Sequence, residues 1–259
     1  MAQELSKYIL GAGKLFFDPE NSNGDLTGEI YLGDTPGFEM PVSSDIIDTW
    51  SSDGKVAERE DLAVTRIVRN ATIRAKNISM YNLSLFVIGD HSTLVEAGGA
   101  VTDEAVNGVQ QGRYYQLGVT TSNPTGVRTI SAVTVTGAGG TPSYVVDTDY
   151  TVDLALGRIY IVPGGSIADD ANILVDYTKT AENRDHVAAS DLGAKYGALR
   201  YIADNTRGPN RDLYVPRLLL RPDGSLAFKS RENYMEMQFQ AEFLKRDSLA
   251  QAYIDGRAV

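Results

Sequence analysis

The residue pattern predicts a mainly β fold, and three observations predict it. Val, Ile, Thr and Tyr crowd many short segments, and 25 glycines with 9 prolines separate them. Such runs, bounded by turn residues, are the signature of strands joined by tight turns. The third observation is Met235–Phe243. Met235, Met237, Phe239, Ala241 and Phe243 alternate with Glu236, Gln238, Gln240 and Glu242. Side chains of a strand point alternately to its two faces, so one face is a core face and the other meets water.

The elements follow in order. Tyr8–Phe17 is a strand in which Gly11 and Gly13 mark a bulge or a close backbone approach. Asp18–Thr27 is a turn-rich loop centred on Asn23-Gly24. Thr27–Leu32 is a strand, broken by Gly33-Asp34-Thr35-Pro36-Gly37. Val42–Asp61 shows neither strand nor helix period and is expected to be a long loop, polar and mixed in charge. It nevertheless holds Ile46, Ile47 and the one tryptophan, Trp50. Long loops inside compact domains are usually functional or disordered, and apolar anchors in a polar loop point to docking. Leu62–Ile78 resumes a strand-like run. Asn82–Glu96 is the helix candidate, with Leu83, Phe86, Val87 and Leu94 on one face and Gly89-Asp90 at a break. Gly98–Asn107 is expected as a loop and Arg113–Val119 as a strand.

Thr120–Thr180 looks like a small β insertion, with short strands at Ile130–Thr136, Tyr144–Val146, Tyr150–Val152, Arg158–Val162 and Ile173–Tyr177. Glycine-rich turns separate them. The expected layout is therefore a discontinuous β domain, residues 1–119 and 181–259, carrying an insertion at 120–180. Gly197–Asp204 and Asp212–Leu220 are strands of the main domain, joined by a turn at Thr206–Arg211, and Pro222-Asp223-Gly224 makes the next turn.

Composition narrows the function. With 259 residues, 42% of them hydrophobic, the chain can bury a large core. The formal net charge of −10 opposes gripping nucleic acid. No cysteine is present, which excludes disulfides and thiolate metal sites. MAQELSKYILGAG lacks a signal-peptide layout, and no apolar run approaches the roughly 20 residues of a membrane span. No membrane partner is expected.

The residues that could carry catalysis or bind a metal have plainer readings. His91 and His186, the two histidines, have no motif around them. Gly11-Ala12-Gly13-Lys14 lacks the spacing of a phosphate loop, and neither a Gly-x-Ser-x-Gly elbow nor His-Glu-x-x-His occurs. Asp147-x-Asp149-x-x-x-Asp153 and Asp18-x-Glu20-x-Ser22-x-Gly24 are oxygen-rich but lack the glycine and closing glutamate of a calcium loop. No enzyme, cofactor or metal is expected. Arg66, Arg74 and Lys76 share one strand face, with Asp45, Asp48, Glu58, Glu60 and Asp61 nearby. Without interleaved aromatics for base stacking, a charge-paired contact between subunits is the better reading.

Several segments, in order, resemble the tail tube (major tail) proteins of long-tailed bacteriophages. They are Tyr8–Phe17, Tyr31-Leu32-Gly33-Asp34-Thr35-Pro36-Gly37-Phe38, the loop around Trp50-Ser51-Ser52-Asp53-Gly54, and the strand from Val64. Val215-Pro216-Arg217, Pro222-Asp223-Gly224 and Glu236–Lys245 complete the set. Tyr150-Thr151-Val152-Asp153 with Gly157-Arg158-Ile159-Tyr160 is similar to a β element of phage structural proteins.

The resemblance implies a β-sandwich or barrel with one flanking helix. It implies a virion protein, assembled in the bacterial host cytoplasm, whose hexameric rings stack into a tail tube. That tube surrounds the tape measure protein, meets the tail terminator and the distal tail or baseplate proteins, and later passes genome DNA during ejection without specific binding. On this reading Ile46, Ile47, Trp50, Asp53, Lys55 and Glu58 form an inter-ring assembly loop. Glu236, Gln238, Gln240 and Glu242 face the lumen, and Arg66, Arg74 and Lys76 contact a neighbouring subunit. The alternatives are another tail or baseplate ring subunit, a contractile-tail tube protein, or a carbohydrate- or host-binding β module using Tyr144, Tyr150, Tyr160 and Tyr177.

Overall fold

The computed structural model describes residues 8–189 and 193–256. The chain divides into two compact units, residues 1–91 with 187–259, and residues 92–186. In chain order the strands of the first unit begin with β1 (Gly13–Pro19), β2 (Ile30–Tyr31), β3 (Gly37–Glu39), β4 (Val42–Trp50) and β5 (Arg59–Ala75), followed by helix α1 (Met80–Phe86). Strand β6 (Gly89–Glu96) carries the chain into the second unit. There lie β7 (Gly99–Val109), β8 (Tyr114–Gln116), β9 (Ile130–Gly137), β10 (Tyr150–Asp153), β11 (Arg158–Ile161) and β12 (Ala171–Lys179). Strand β13 (Glu182–Ala189), paired with β6, carries it back to β14 (Lys195–Ala203), β15 (Arg211–Asp223), β16 (Met237–Phe243) and β17 (Tyr253–Gly256). The fold is mainly β, as expected.

The first unit is built on one nine-stranded sheet of order β2-β1-β14-β15-β16-β5-β3, with β17 paired to β15 and β4 to β5. Its two outermost strands, β2 and β3, are consecutive in the chain. The connection 32–36 bonds both sides of the seam: Leu32 N donates to Leu15 O at 3.0 Å, and Lys76 N donates to Asp34 O at 2.9 Å. Five residues span less than about 18 Å, so the sheet must roll up until its edges meet. Rolling removes edges that would otherwise recruit foreign strands.

Gly33 stands at the seam with φ +82°, and a Cβ there would lie 2.2 Å from the Asn77 side-chain nitrogen. Glycine is therefore required both for its backbone conformation and for space. At Gly197 the limit is proximity alone, since a Cβ would stand 2.3 Å from Asp18 O.

The inward face carries Leu15, Phe17, Ile73, Leu199, Val215, Leu218, Met237 and Phe239, all essentially inaccessible. Helix α1 packs onto this core through Leu85 and Phe86, whose ring meets Phe239 edge-on at 5.8 Å. Ser79 caps it by accepting from Asn82 N at 3.1 Å. The buried Asn82 amide donates to Leu32 O at 2.8 Å and to Asn77 O at 2.9 Å, tying the helix to the seam.

The second unit has its own core around Val109, Leu117, Val135, Ile159, Ile161, Ile173 and Val175, between the sheets β7-β12-β9 and β10-β11-β8. Its boundary falls at Ser92 and not at Thr120. The reason is β7, expected as a loop, which pairs with β12 along most of its length. Val101, Val106 and Val109 supply the packing that Gly99, Asp103 and Asn107 obscure in the sequence. Because residues 92–186 enclose a separate core, a fragment of that span is expected to show a cooperative thermal transition by circular dichroism. A featureless melt would refute that.

Other expectations need correction. The helix does not run over Asn82–Glu96. It covers Met80–Phe86 and stops before Gly89, where β6 begins and pairs with β13. Tyr144–Val146 makes one isolated bridge, Val146 with Tyr150, and no strand. Strand β17 was not expected; it pairs with the first residues of β15. The largest correction concerns Val42–Asp61, which is not an irregular loop. Residues Val42–Trp50 form β4, antiparallel to Arg59–Arg69 of β5.

Candidate functional site

The β4–β5 ribbon is the feature that packing within the chain does not explain. All nine residues of β4 are exposed, as are the first nine of β5. Strand β5 is 17 residues long, but β16 pairs with it only from Asn70 to Ala75. The remainder pairs with β4 alone. Two-stranded ribbons are marginal in water without a surface to lie on.

Apolar side chains lie along the ribbon. Ile46 stands opposite Val64, with Leu62 two residues along on the same face, while Ile47 points to the other. Ile46, Ile47 and Trp50 are 51%, 65% and 51% exposed. Val42, Val64 and Ile67 add to the same surface. The Arg59 guanidinium sits 5.0 Å from the Trp50 ring centroid and 3.2 Å from Asp48. The tip, Ser51–Glu58, presents Asp53, Lys55, Val56 and Glu58 to solvent.

Arg66, Arg74 and Lys76, expected to contact a neighbouring subunit, each have a carboxylate partner in their own chain. Arg66 pairs with Asp45 at 3.5 Å, Arg74 with Glu39 at 4.0 Å, and Lys76 with Glu236 at 3.6 Å. Exposed pairs of this kind contribute about 0–1 kcal/mol each.

The alternation of Met235–Phe243 holds in β16, whose odd-numbered residues are buried and even-numbered ones half-exposed. The outward face is charge-balanced, not acidic. Glu242 meets Arg221 at 2.7 Å, Glu236 meets Lys76, and Gln238 donates to Asp223 at 2.9 Å.

The clefts carry less chemistry. One of about 470 Å³ in the first unit is lined by Glu20, Tyr81, Ser84, His91 and Lys195. The Tyr81 hydroxyl is buried there without a hydrogen-bond partner among the described residues. Burial, with Asp18 nearby, raises its pKa from 10.0 to about 12. A folded-state pKa above the unfolded one gives stability that is complete below pH 10 and lost as pH rises through about 12. Tyr81→Phe is expected to flatten the fall in melting temperature over that range, with little cost at pH 7 because no hydrogen bond is lost. An unchanged alkaline profile would count against this.

In the second unit Glu96 binds Lys179 and Asn123, at 2.5 and 3.1 Å, and Glu104 accepts from the Tyr177 hydroxyl at 2.6 Å. These groups satisfy one another.

The tyrosines considered for glycan binding serve packing. Tyr150 and Tyr177 are core residues, Tyr144 packs on the same core, and the Tyr160 ring lies 4.7 Å from that of Tyr114. The oxygen-rich turns are likewise occupied. Asp18 accepts from Thr27 N and Gly28 N, Glu20 holds Arg217, and Asp149 accepts from Val145 N and Ser166 N. Among the described residues no group of three or more His, Asp or Glu side chains is arranged to hold a metal ion. No helix among them is long and apolar enough to cross a membrane.

Fold and surface together define a mainly β protein with a rolled sheet, a second β unit and a projecting apolar ribbon. The family described as Protein of unknown function UCP028589 matches residues 8–253, and the chain belongs to that family. Among curated proteins none matches the chain.

Proposed function

We propose that this protein is a structural subunit that polymerises through copies of itself, as the tail tube protein of a long-tailed bacteriophage. The observation that carries the reading is the β4–β5 ribbon. It exposes Val42, Ile46, Ile47, Trp50, Leu62, Val64 and Ile67 on a projection with no core of its own. Contiguous exposed apolar surface marks an interaction site, and a ribbon that extends one long strand is suited to lying against a neighbour. Hexameric rings, the tape measure protein, the terminator and distal tail proteins, and DNA in transit belong to this reading through the sequence resemblance.

In such a tube the outward face of β16 lines the channel. Its paired charges give a passing duplex neither an acidic wall nor a basic one to grip. Gln240→Lys with Glu242→Lys is then expected to leave assembly intact while slowing genome release from assembled virions. An unchanged release rate would remove these residues from the channel. The reading as a whole is tested by negative-stain microscopy of the purified protein. Rings or hollow tubes are expected, and a monodisperse monomer at high concentration would refute it.

A further inference from the structure

The ribbon leaves the rolled sheet at one end, and a second unpartnered surface lies at the other. Strand β5 pairs with β16 from Ala75↔Met237 to Asn70↔Glu242, and its remaining residues run on beyond that pairing into the ribbon. The loop 224–236 joins β15 to the start of β16, so it stands beside Ala75, at the far end of the same strand. From Arg59 to Ala75 the strand extends about 50 Å at 3.3 Å per residue.

This loop is anchored by Leu226, which packs on the core, and shaped by Ser230, whose Oγ accepts from Glu232 N and Asn233 N. It then exposes two aromatic rings, Phe228 at 73% and Tyr234 at 93%. Lys229 and Arg231 lie between them, both exposed. Among the described residues neither forms an ion pair. A shallow cleft of about 470 Å³ opens beside it, lined by Lys76, Ala227, Asn233 and Tyr234.

The ribbon end has the opposite net charge. Asp53, Glu58 and Glu60, against Lys55, are exposed and outside any ion pair among the described residues, as Lys229 and Arg231 are against Glu232, and Trp50 and Val56 are the apolar members. We infer that the ribbon end of one copy docks on the loop 224–236 of the next. Trp50 and Val56 then meet Phe228 and Tyr234, and Glu58 and Glu60 meet Lys229 and Arg231. The inference rests on the self-assembly reading above and names the receiving surface for it. Two different patches at opposite ends of one chain make a head-to-tail contact. Such a contact does not close on itself in a pair, and it propagates as a stack where its rotation does not close a ring. Charge complementarity across it fixes orientation and register.

Reciprocal charge reversal, read by light scattering and microscopy at low salt, tests this. Lys229→Glu with Arg231→Glu should raise the concentration needed for assembly at least tenfold, and so should Glu58→Lys with Glu60→Lys. A chain carrying all four changes should recover assembly. All the altered side chains are exposed, and an unchanged circular dichroism melt verifies that each variant is folded. If the loop pair assembles like the parent, or the fourfold variant stays folded without recovering, the docking surface is wrong while the self-assembly reading stands. If the parent itself never assembles, that reading falls and the inference falls with it.

Discussion

A Trp50→Ala subunit is expected to melt like the parent and to lose self-assembly. Trp50 is half-exposed on a ribbon that contributes nothing to either buried core. Its removal from the folded subunit forfeits little beyond the Arg59 contact, which at an exposed site is worth about 0.5–1 kcal/mol. At an interface the same residue is the type that dominates binding. Buried tryptophan anchors cost about 2 kcal/mol or more when truncated, which is roughly 30-fold in affinity. In a stacked ring that loss repeats at every subunit. The check is the critical concentration for assembly beside a thermal melt of the same sample. Normal assembly by the variant would remove Trp50 from the interface.

Phe239→Ala is expected to do the reverse, and to act before any assembly can occur. The side chain is 1% exposed, lies at the middle of the sheet core, and meets Phe86 of α1 edge-on. Truncating a buried phenylalanine costs about 3–5 kcal/mol, because the cavity collapses only in part. At about 2–4 °C per kcal/mol for a unit of this size, the melting temperature should fall by roughly 6–20 °C. The transition of the second unit, whose core shares no residue with this one, should stay where it was. A shift below about 2 °C would contradict the packing described.

The difference between these two residues explains what could be read from the sequence. Phe239 sits in a run whose period is unbroken, because one face of β16 is buried along its whole length. The polar face Glu236, Gln238, Gln240 and Glu242 was legible for the same reason. The ribbon gives no such signal. With both faces of β4 in solvent, nothing forces Val42–Trp50 to alternate, and its apolar residues fall on either side. Length and a solitary tryptophan marked the segment, but its strand character came from pairing with β5. Strand β7 shows no strand period because glycine and aspartate interrupt it, and the helical spacing of apolar residues continues to Leu94, past the point where the helix ends. Phe228 and Tyr234 carried no signal, since one exposed aromatic looks like any other until the neighbouring strands are placed.

The long-range pairing of the rolled sheet has a consequence for biosynthesis. Strand β1 pairs with β14, and β5 with β16, so neither can find its partner until the whole of residues 92–186 has been made. At about 5–20 residues per second, the ribosome takes roughly 5–20 s to cover that interval. The second unit finds its partners locally, β12 against β7 and β9, and can form during the wait. The ribbon hairpin, also local, can form earlier still, because β4 and β5 are adjacent in the chain. The sticky surface is thus exposed on the nascent chain before the sheet it belongs to exists. The loop 224–236, proposed above to receive it, is made much later, ahead of only β16 and β17. Two chains in synthesis together therefore cannot join by the proposed contact until one of them has completed its loop 224–236.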